Sequence, residues 1–189
     1  MKRLLLALIP FALLGSGSAF AVEIKGVTVP DTARVESVDR ELRLNGAGVR
    51  KKFFFSIYIG ALYLVGKSDN AGEIIESEQP KRVAMHFLYD KVEAEKLREA
   101  WNEGFQANTT PEEFATLKER LDRFNTYFGD AVKGDVIYLD YLPGTGTRVS
   151  VNGEVKGTIP GADFHRALLK VWLGKEPVTS SLKAAMLGK

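Results

Sequence analysis

The chain has 189 residues, of which 45% are hydrophobic, and it contains no cysteine. Its 26 Lys and Arg residues nearly balance its 24 Asp and Glu residues, so no overall electrostatic field attracts nucleic acid or an anionic membrane. A fold held by disulfide bonds is excluded, and stability has to come from a hydrophobic core.

Residues 1–21, MKRLLLALIPFALLGSGSAFA, have the parts of a secretory signal peptide. The basic pair Lys2 and Arg3 precedes a short apolar segment, and Ala19-Phe20-Ala21 ends it with an Ala-x-Ala pattern. The apolar segment is too short to span a bilayer, and the Ala-x-Ala ending favours cleavage over an uncleaved anchor. We therefore predict a periplasmic protein of a Gram-negative bacterium, without stable membrane insertion, whose single domain covers residues 22–189.

The first half of that domain shows strand patterns. Residues 22–30 alternate like an edge strand, and residues 41–44 form a second strand that runs into Asn45-Gly46, a strong turn signal. The longest strand candidate is 53–65, and 81–89 is the next.

Helical periodicity then replaces the alternation. Within residues 91–105, Leu97, Trp101 and Phe105 recur at intervals of four, which predicts a helix with one apolar face. Thr110-Pro111-Glu112-Glu113 predicts the start of a second helix, because Thr110 can cap it and Glu113 can close a capping box. We interpret the aromatic side chains along these two helices as core.

The last third reads as a strand meander followed by two helices. The strands are predicted over 135–142, 147–152 and 154–159, and the helices over 163–173 and 181–187. Segregated strands and helices joined by hairpin turns predict an α+β domain, with a large antiparallel sheet covered by helices on one face.

The candidate strand 53–65 is apolar on both faces. Its odd positions are predicted to be core, and its even positions include Phe54, Tyr58, Gly60 and Leu62. A glycine within a strand often marks the close approach of another group. The even face is therefore predicted to form one wall of a cavity between the sheet and the helices, with the Tyr58 phenol pointing into it.

Arg50 lies just before this strand, after the glycine-rich segment Gly46-Ala47-Gly48. If that segment bends, it brings the guanidinium to the same wall as Tyr58, and the two groups could together bind an anion in a low dielectric. The residues alone leave two other partners open for Arg50, a surface carboxylate or water.

Other chemistry has little support in the sequence. The two histidines, His86 and His165, lie far apart in the chain and are not accompanied by cysteine or by clustered carboxylates, so we predict no metal site. His86 is interpreted as a buried structural histidine and His165 as a residue on the polar face of its helix. No dinucleotide or phosphate-binding motif is present, and no cofactor is predicted.

Several blocks of the chain resemble the chalcone isomerase-like superfamily, and in particular its bacterial secreted branch. These blocks, in order, are LNGAGVR, FFFSIYIGALYL, KRVAMHF and GTIPGADFHRALLKVWLG. The resemblance implies an open-faced β-sandwich, which agrees with the α+β prediction. It also implies one of two activities. Plant members close a chalcone into a flavanone, whereas non-catalytic members bind fatty acids.

The resemblance carries over to particular residues. Arg50 matches the arginine that the enzymes use to polarise their substrate and that the lipid binders use to hold a carboxylate. Tyr58 falls where the lipid binders have tyrosine and the enzymes have threonine. On the first helix the enzymes' tyrosine is absent, because the chain has Ala94 there, while Asn102 lies near the position of their asparagine. Thr158 corresponds to a hydroxyl near the last helix.

Three hypotheses follow from these residues. The first is a binding protein for a hydrophobic ligand with an acidic head, such as a fatty acid. In it Arg50 and Tyr58 hold the head, Phe54, Leu62 and Trp101 line the tail, and Asn102 and Thr158 give further contacts. The second is an isomerase acting on a phenolic enone, with Arg50 and Tyr58 as its catalytic residues. The third is an interaction module that binds no ligand.

Overall fold

The computed structural model describes residues 21–36 and 38–189. The predicted signal peptide, apart from Ala21, lies outside these residues. Within the described residues there are eleven strands, in chain order β1 to β11: Ala21–Ile24, Val27–Pro30, Thr32–Arg34, Glu41–Lys52, Phe55–Leu64, Lys81–Phe87, Lys91–Val92, Ala131–Val132, Val136–Leu142, Gly146–Val151 and Glu154–Ile159. The same part of the chain has five helices, numbered α1 to α5 in chain order: Ala71–Glu76, Ala94–Asn108, Pro111–Asn125, Ala162–Leu173 and Ser180–Met186.

Seven of the strands form one sheet, in the order β11-β10-β9-β6-β5-β4-β3. Every neighbouring pair in it is antiparallel. The remaining strands form two small antiparallel pairs, β1 with β2 and β7 with β8. The α+β prediction with a large antiparallel sheet is therefore confirmed.

The two faces of the sheet bury different cores. On one face, Tyr58, Leu62 and Leu64 of β5 pack into a large core with side chains of the helices. On the other face, Ile59 and Tyr63 of the same strand join a smaller core. The β1–β2 hairpin contributes Val29 to that smaller core, and the Tyr63 hydroxyl donates to the carbonyl of Pro30 at 2.9 Å. The face-by-face interpretation of this strand is thus confirmed for residues 58 to 64. It is wrong for Ile57, an odd position that joins the core on the helix side.

Helix α3 starts as the sequence predicts. The Thr110 hydroxyl accepts a hydrogen bond from the backbone N–H of Glu113 at 3.2 Å, and the Glu113 carboxylate accepts one from the backbone N–H of Thr110 at 3.0 Å. This reciprocal pair is a capping box. Trp101 and Phe105 on α2 and Phe124 on α3 are buried core, as predicted, and Phe114 on α3 packs against this core while partly buried.

Two strand predictions are wrong, because a turn was overlooked in one segment and wrongly predicted in the other. Residues 22–30 form a hairpin, not one strand, since Lys25 and Gly26 take positive φ values of 54° and 75° and reverse the chain. Strand β4 also continues through Asn45-Gly46, where a turn was predicted. The Asn45 side chain is buried, and its amide donates to the carbonyls of Ser68 at 2.9 Å and Met186 at 2.8 Å. Asn45 thus joins β4 to two distant segments.

The glycines of β4 serve close packing against α5. A Cβ atom on Gly46 would lie 2.1 Å from the carbonyl oxygen of Ala185, and one on Gly48 would lie 2.5 Å from the Ala185 Cβ. The sequence analysis predicted that these glycines bend the chain before Arg50. This prediction is wrong, because strand β4 continues through them. The gap predicted at Gly60 is likewise filled by Leu182, whose methyl groups would lie 3.2 and 3.3 Å from a Cβ there.

Candidate functional site

Arg50 and Tyr58 are brought together by the sheet itself. Arg50 on β4 is the cross-strand partner of Tyr58 on β5, and partners in an antiparallel ladder present their side chains on the same face. The Arg50 guanidinium carbon lies 5.6 Å from the centroid of the Tyr58 ring, within cation–π range. The predicted proximity of these two residues is therefore observed, although strand pairing and not a glycine bend produces it.

The Arg50 guanidinium is not neutralised by the part of the chain that the structure describes. No Asp or Glu oxygen of these residues lies within 4.0 Å of it. Its Nε atom is buried and has no hydrogen-bond partner. A buried N–H group of a cation carries a desolvation cost unless an acceptor compensates for it. Arg50 is consequently suited to receive an anion.

Tyr58 contributes a neutral hydrogen-bond donor beside this cation. The residue is only 4% exposed, and its hydroxyl oxygen accepts a hydrogen bond from Trp172 Nε1 at 2.9 Å. Burial raises the pKa of the phenol, although the Arg50 charge and the Trp172 hydrogen bond act in the opposite direction. The phenol therefore stays protonated near neutral pH, and no acceptor for its own O–H is found among the described residues.

Both residues line a small cavity, here called the inner cavity, of about 20 Å³. The other lining residues, mostly apolar, come from β6, α2, α4 and the segment before α5: Met85, Leu97, Ala100, Trp101, Val171 and Val178. The indole Nε1 of Trp101 is also buried without a hydrogen-bond partner. A cavity of this size has room for about one water molecule. It therefore suits a small polar group and excludes an alkyl chain.

A larger depression, here called the outer groove, also borders Arg50. Its volume is about 450 Å³, and it shares Arg50 and Ala100 with the inner cavity. Apolar surface comes from Ile57, Tyr89 and Val92, and charged groups surround it: Lys52, Lys91, Glu93, Lys96, Glu99 and Glu103. Pockets that hold small ligands usually have 300–1,000 Å³, so the outer groove is large enough for a lipid-sized molecule.

The other residues predicted for the site do not converge on Arg50. Phe54 was expected to line the cavity but is 98% exposed, because it lies in the turn between β4 and β5 and not in the strand. Leu62 is buried in the core as predicted, but it lines neither the inner cavity nor the outer groove. Of the predicted lining residues, Trp101 alone borders the inner cavity.

Thr158 and Asn102 also lie elsewhere. Thr158 is on β11, four strand positions from β5, or roughly 19 Å at about 4.8 Å per strand. Cross-strand pairs link Thr158 through Arg148, Asp140 and Arg82 to Tyr63, which places it on the sheet face opposite the helices. The Asn102 side-chain oxygen accepts a hydrogen bond from Asn125 at 3.1 Å and so joins α2 to α3.

Trp172 is the important residue that the sequence analysis missed. It is fully buried and holds the Tyr58 hydroxyl, and its ring meets that of Trp101 edge to face at 5.6 Å. The apolar pattern of α4 gave no sign that the indole N–H would have a partner on β5. His165, predicted to lie on a polar face, is instead buried and stacks on Tyr141 with ring centroids 4.5 Å apart.

The fold and the site together define an open-faced sandwich with an arginine–tyrosine pair between the sheet and the helices. The chain belongs to the chalcone isomerase-like family, whose sequence model matches residues 21–188. A search of curated protein sequences found no match. Among solved structures, the chain is similar to a fatty-acid binding protein of Arabidopsis thaliana, with a TM-score of 0.69 and 17% identity. The alignment covers 89% of this chain and 96% of that one.

Proposed function

We propose that this protein binds a hydrophobic ligand with an acidic head group, a fatty acid or a molecule of similar chemistry. The observation that carries the proposal is the Arg50 guanidinium, which no carboxylate of the described residues neutralises and whose Nε is buried without an acceptor. A carboxylate would supply both the missing charge and the missing acceptor. Hydrogen bonds between charged groups contribute about 1.5–3 kcal/mol each.

One oxygen of the head group is proposed to enter the inner cavity, which has room for a group about the size of one water molecule. Three donors of the residues that line this cavity have no acceptor among the described residues: Arg50 Nε, Trp101 Nε1 and the Tyr58 O–H. A carboxylate has two acceptor oxygens and can serve more than one of these donors. The low dielectric of the surrounding apolar side chains strengthens each interaction.

The hydrocarbon tail is proposed to lie in the outer groove. The inner cavity is too small for it, whereas the groove has about 450 Å³ and begins at Arg50. Ile57, Tyr89, Val92 and Ala100 provide its apolar floor. This arrangement differs from the tail site expected from sequence, because Phe54 and Leu62 are not part of it.

An isomerase of the chalcone type receives less support. The same Arg50 and Tyr58 could stabilise a developing oxyanion, but a phenolic enone has two aromatic rings to enclose. The inner cavity, of about 20 Å³, admits neither ring, and by the family resemblance the tyrosine at position 58 matches the lipid binders and not the enzymes, which have threonine there. Following chalcone absorbance with time tests this alternative, and a rate above that of buffer that is lost in Arg50→Ala would favour it over simple binding.

A periplasmic location is part of the proposal, because residues 1–21 have the pattern of a cleaved signal peptide. Fractionation of producing cells, with the amino terminus of the recovered protein read by mass spectrometry, tests it. Recovery of the protein in the periplasmic fraction with an amino terminus near Val22 is expected, and a cytoplasmic protein that retains Met1 would contradict it.

Native mass spectrometry of protein purified from producing cells, followed by solvent extraction, tests the binding function. The wild type is expected to carry an acidic lipid, and Arg50→Ala is expected to lose it. Arg43→Ala is the matched control, because Arg43 is an exposed arginine of the same strand. If the wild type carries no acid and binds no added dodecanoate, the proposal is wrong.

A further inference from the structure

The β4–β5 hairpin ends in three exposed phenylalanines, here called the aromatic tip. Phe53 is 85% exposed, Phe54 98% and Phe55 54%. Isolated apolar residues are common on protein surfaces, but three consecutive large aromatic residues at the end of a hairpin form a contiguous apolar projection. This projection lies outside the hydrophobic core, and its exposed apolar area indicates that it contacts a partner outside the chain.

The backbone of the tip is also unusual. Lys52 pairs with Phe55, so Phe53 and Phe54 form a two-residue loop, and Phe53 has a φ of 56°. Two-residue hairpins with a positive φ at the first loop position usually have glycine there. A bulky side chain at positive φ is strained, and such strain is concentrated at functional positions. Phe53 therefore carries a conformational cost that packing in the core does not explain.

The two residues that directly precede the tip in the sequence are both positively charged. Lys51 and Lys52 precede it and are exposed. Neither ammonium has a carboxylate within 4.0 Å in the described parts of the chain, in contrast to Lys91 and Lys96, which pair with Asp130 and Glu99. Although positive and negative charges nearly balance over the whole chain, the aromatic tip itself therefore lies beside two cations.

We infer that the aromatic tip docks on the surface of a lipid bilayer that contains anionic headgroups. Phenylalanine side chains would enter the boundary between headgroups and acyl chains. The ammonium groups of Lys51 and Lys52 would remain at the level of the anionic headgroups, to which they are attracted. This is peripheral contact by a hairpin; no helix in residues 21–36 and 38–189 is long and apolar enough to cross a membrane.

The size of the tip favours a bilayer over a protein partner. An aromatic side chain buries roughly 150–250 Å² when fully covered, so three of them bury at most about 750 Å² together, and Phe55 is already half covered. A stable protein–protein interface buries about 800 Å² on each partner. A narrow wedge with flanking cations also matches a bilayer surface better than a folded protein.

The tip is continuous with the outer groove. The Phe55 ring contacts the Tyr89 ring edge to face at 5.3 Å, and Tyr89 and Lys52 both line the groove. Docking through the tip would therefore bring the mouth of the groove close to the bilayer. If the proposed ligand binding is also correct, an acyl chain could pass between bilayer and groove; the docking itself does not depend on that ligand.

The test measures sedimentation of the protein with two kinds of vesicle, phosphatidylcholine alone and phosphatidylcholine with phosphatidylglycerol in equal parts. The processed chain made by the producing cell is used, and all variants must share one amino terminus, as verified by mass spectrometry. Phe54→Ser should weaken partitioning about tenfold or more. Lys51→Gln with Lys52→Gln should reduce the preference for anionic vesicles roughly fivefold per lysine. Val155→Ser, an exposed apolar position on β11, should change neither.

A second measurement places the tip in the bilayer directly. Trp101 and Trp172 are buried, so Phe54→Trp adds an exposed fluorophore whose emission should shift to the blue when anionic vesicles are added. Binding that is equal for the wild type and Phe54→Ser, or an unshifted Phe54→Trp emission, would overturn the inference. A wild-type dimer that Phe54→Ser converts to a monomer would also overturn it, in favour of a second copy as the occupant. If the wild type binds anionic vesicles but carries no acid and binds no added dodecanoate, docking is supported and the proposed ligand is wrong.

Discussion

Trp172 and Tyr58 are joined by a buried hydrogen bond that links α4 to β5 across 114 positions of the sequence. The indole N–H donates to the phenolic oxygen at 2.9 Å, which fixes the tyrosine ring beneath the Arg50 guanidinium. Tyr58 therefore has a structural role and a proposed role in binding. It supports the contact between helix and sheet, and it presents a neutral O–H donor beside the cation.

Tyr58→Phe should therefore destabilise the fold as well as weaken anion binding. The substitution leaves the Trp172 N–H buried without an acceptor, which costs about 1–3 kcal/mol. Urea unfolding should show this loss of stability. In a protein that already carries Trp172→Phe the N–H group is absent, so adding Tyr58→Phe should cost much less than it does in the wild type. Strictly additive losses in the double variant would contradict the coupling.

The second prediction concerns the buried carboxylate of Asp140. Its side chain is 1% exposed and accepts from Arg82 Nε at 2.6 Å and from Arg82 Nη2 at 2.9 Å, while Arg148 lies 3.5 Å away. Asp140→Asn should reduce the free energy of unfolding by about 3–5 kcal/mol, because two guanidinium groups would lose their shared anion. The same change at Asp122, whose pairing with Lys118 is exposed, should cost less than about 1 kcal/mol. Equal effects at the two positions would contradict this account.

The third prediction concerns the contact of β4 with α5. Gly46→Ala would place a Cβ 2.1 Å from the Ala185 carbonyl oxygen, so strand and helix must separate, at a cost of about 1–3 kcal/mol or more. Gly66→Ala is the matched control, since nothing lies within 4 Å of a Cβ there. Thermal unfolding compares the two variants. A Gly46→Ala protein as stable as Gly66→Ala would show that α5 does not rest on this strand.

The fourth prediction concerns the pH dependence of stability due to Lys81. The side chain is buried, donates to the Ser77 carbonyl and lies over the Tyr141 ring at 5.0 Å, and burial lowers its pKa from 10.5 to about 8. Between these values the unfolded chain retains the proton that the folded chain has released. Stability due to Lys81 should therefore rise with pH across that window, by at most about 1.4 kcal/mol per pH unit.

The comparison variant is Lys81→Met, which lacks the titrating group. The free energy of unfolding of the wild type, relative to this variant, should increase from pH 8 to pH 10.5 and be constant below pH 8. A difference between the two proteins that is independent of pH throughout would show that the folded chain retains the Lys81 proton.

Local patterns in the sequence predicted the elements but not all of their neighbours. The capping box at Thr110 was predictable because both of its partners lie within one helical turn. Asn45-Gly46 was misread as a turn because the groups that bind Asn45 lie 23 and 141 positions away. Leu182, which fills the space at Gly60, is equally remote in the sequence.

The candidate site was predicted in part for the same reason. Arg50 and Tyr58 could be paired from the family resemblance, and the strand register brings them together. Phe54 was misplaced because hydrophobicity alone does not distinguish a buried aromatic residue from one that projects into solvent. Thr158 was misplaced because the order of strands in the sheet, which separates β11 from β5, is not encoded in any short stretch.

Calorimetric titration with dodecanoate and with dodecanol, which share a tail and differ in the charged head, tests the role of Arg50 most directly. The wild type and Arg43→Ala should bind dodecanoate about 10- to 100-fold more tightly than dodecanol, as expected for one charge-assisted interaction. Arg50→Ala should lose that preference and retain its affinity for dodecanol. An unchanged preference in Arg50→Ala, or no preference in the wild type, would contradict the assignment of Arg50 as the binding group for the acid.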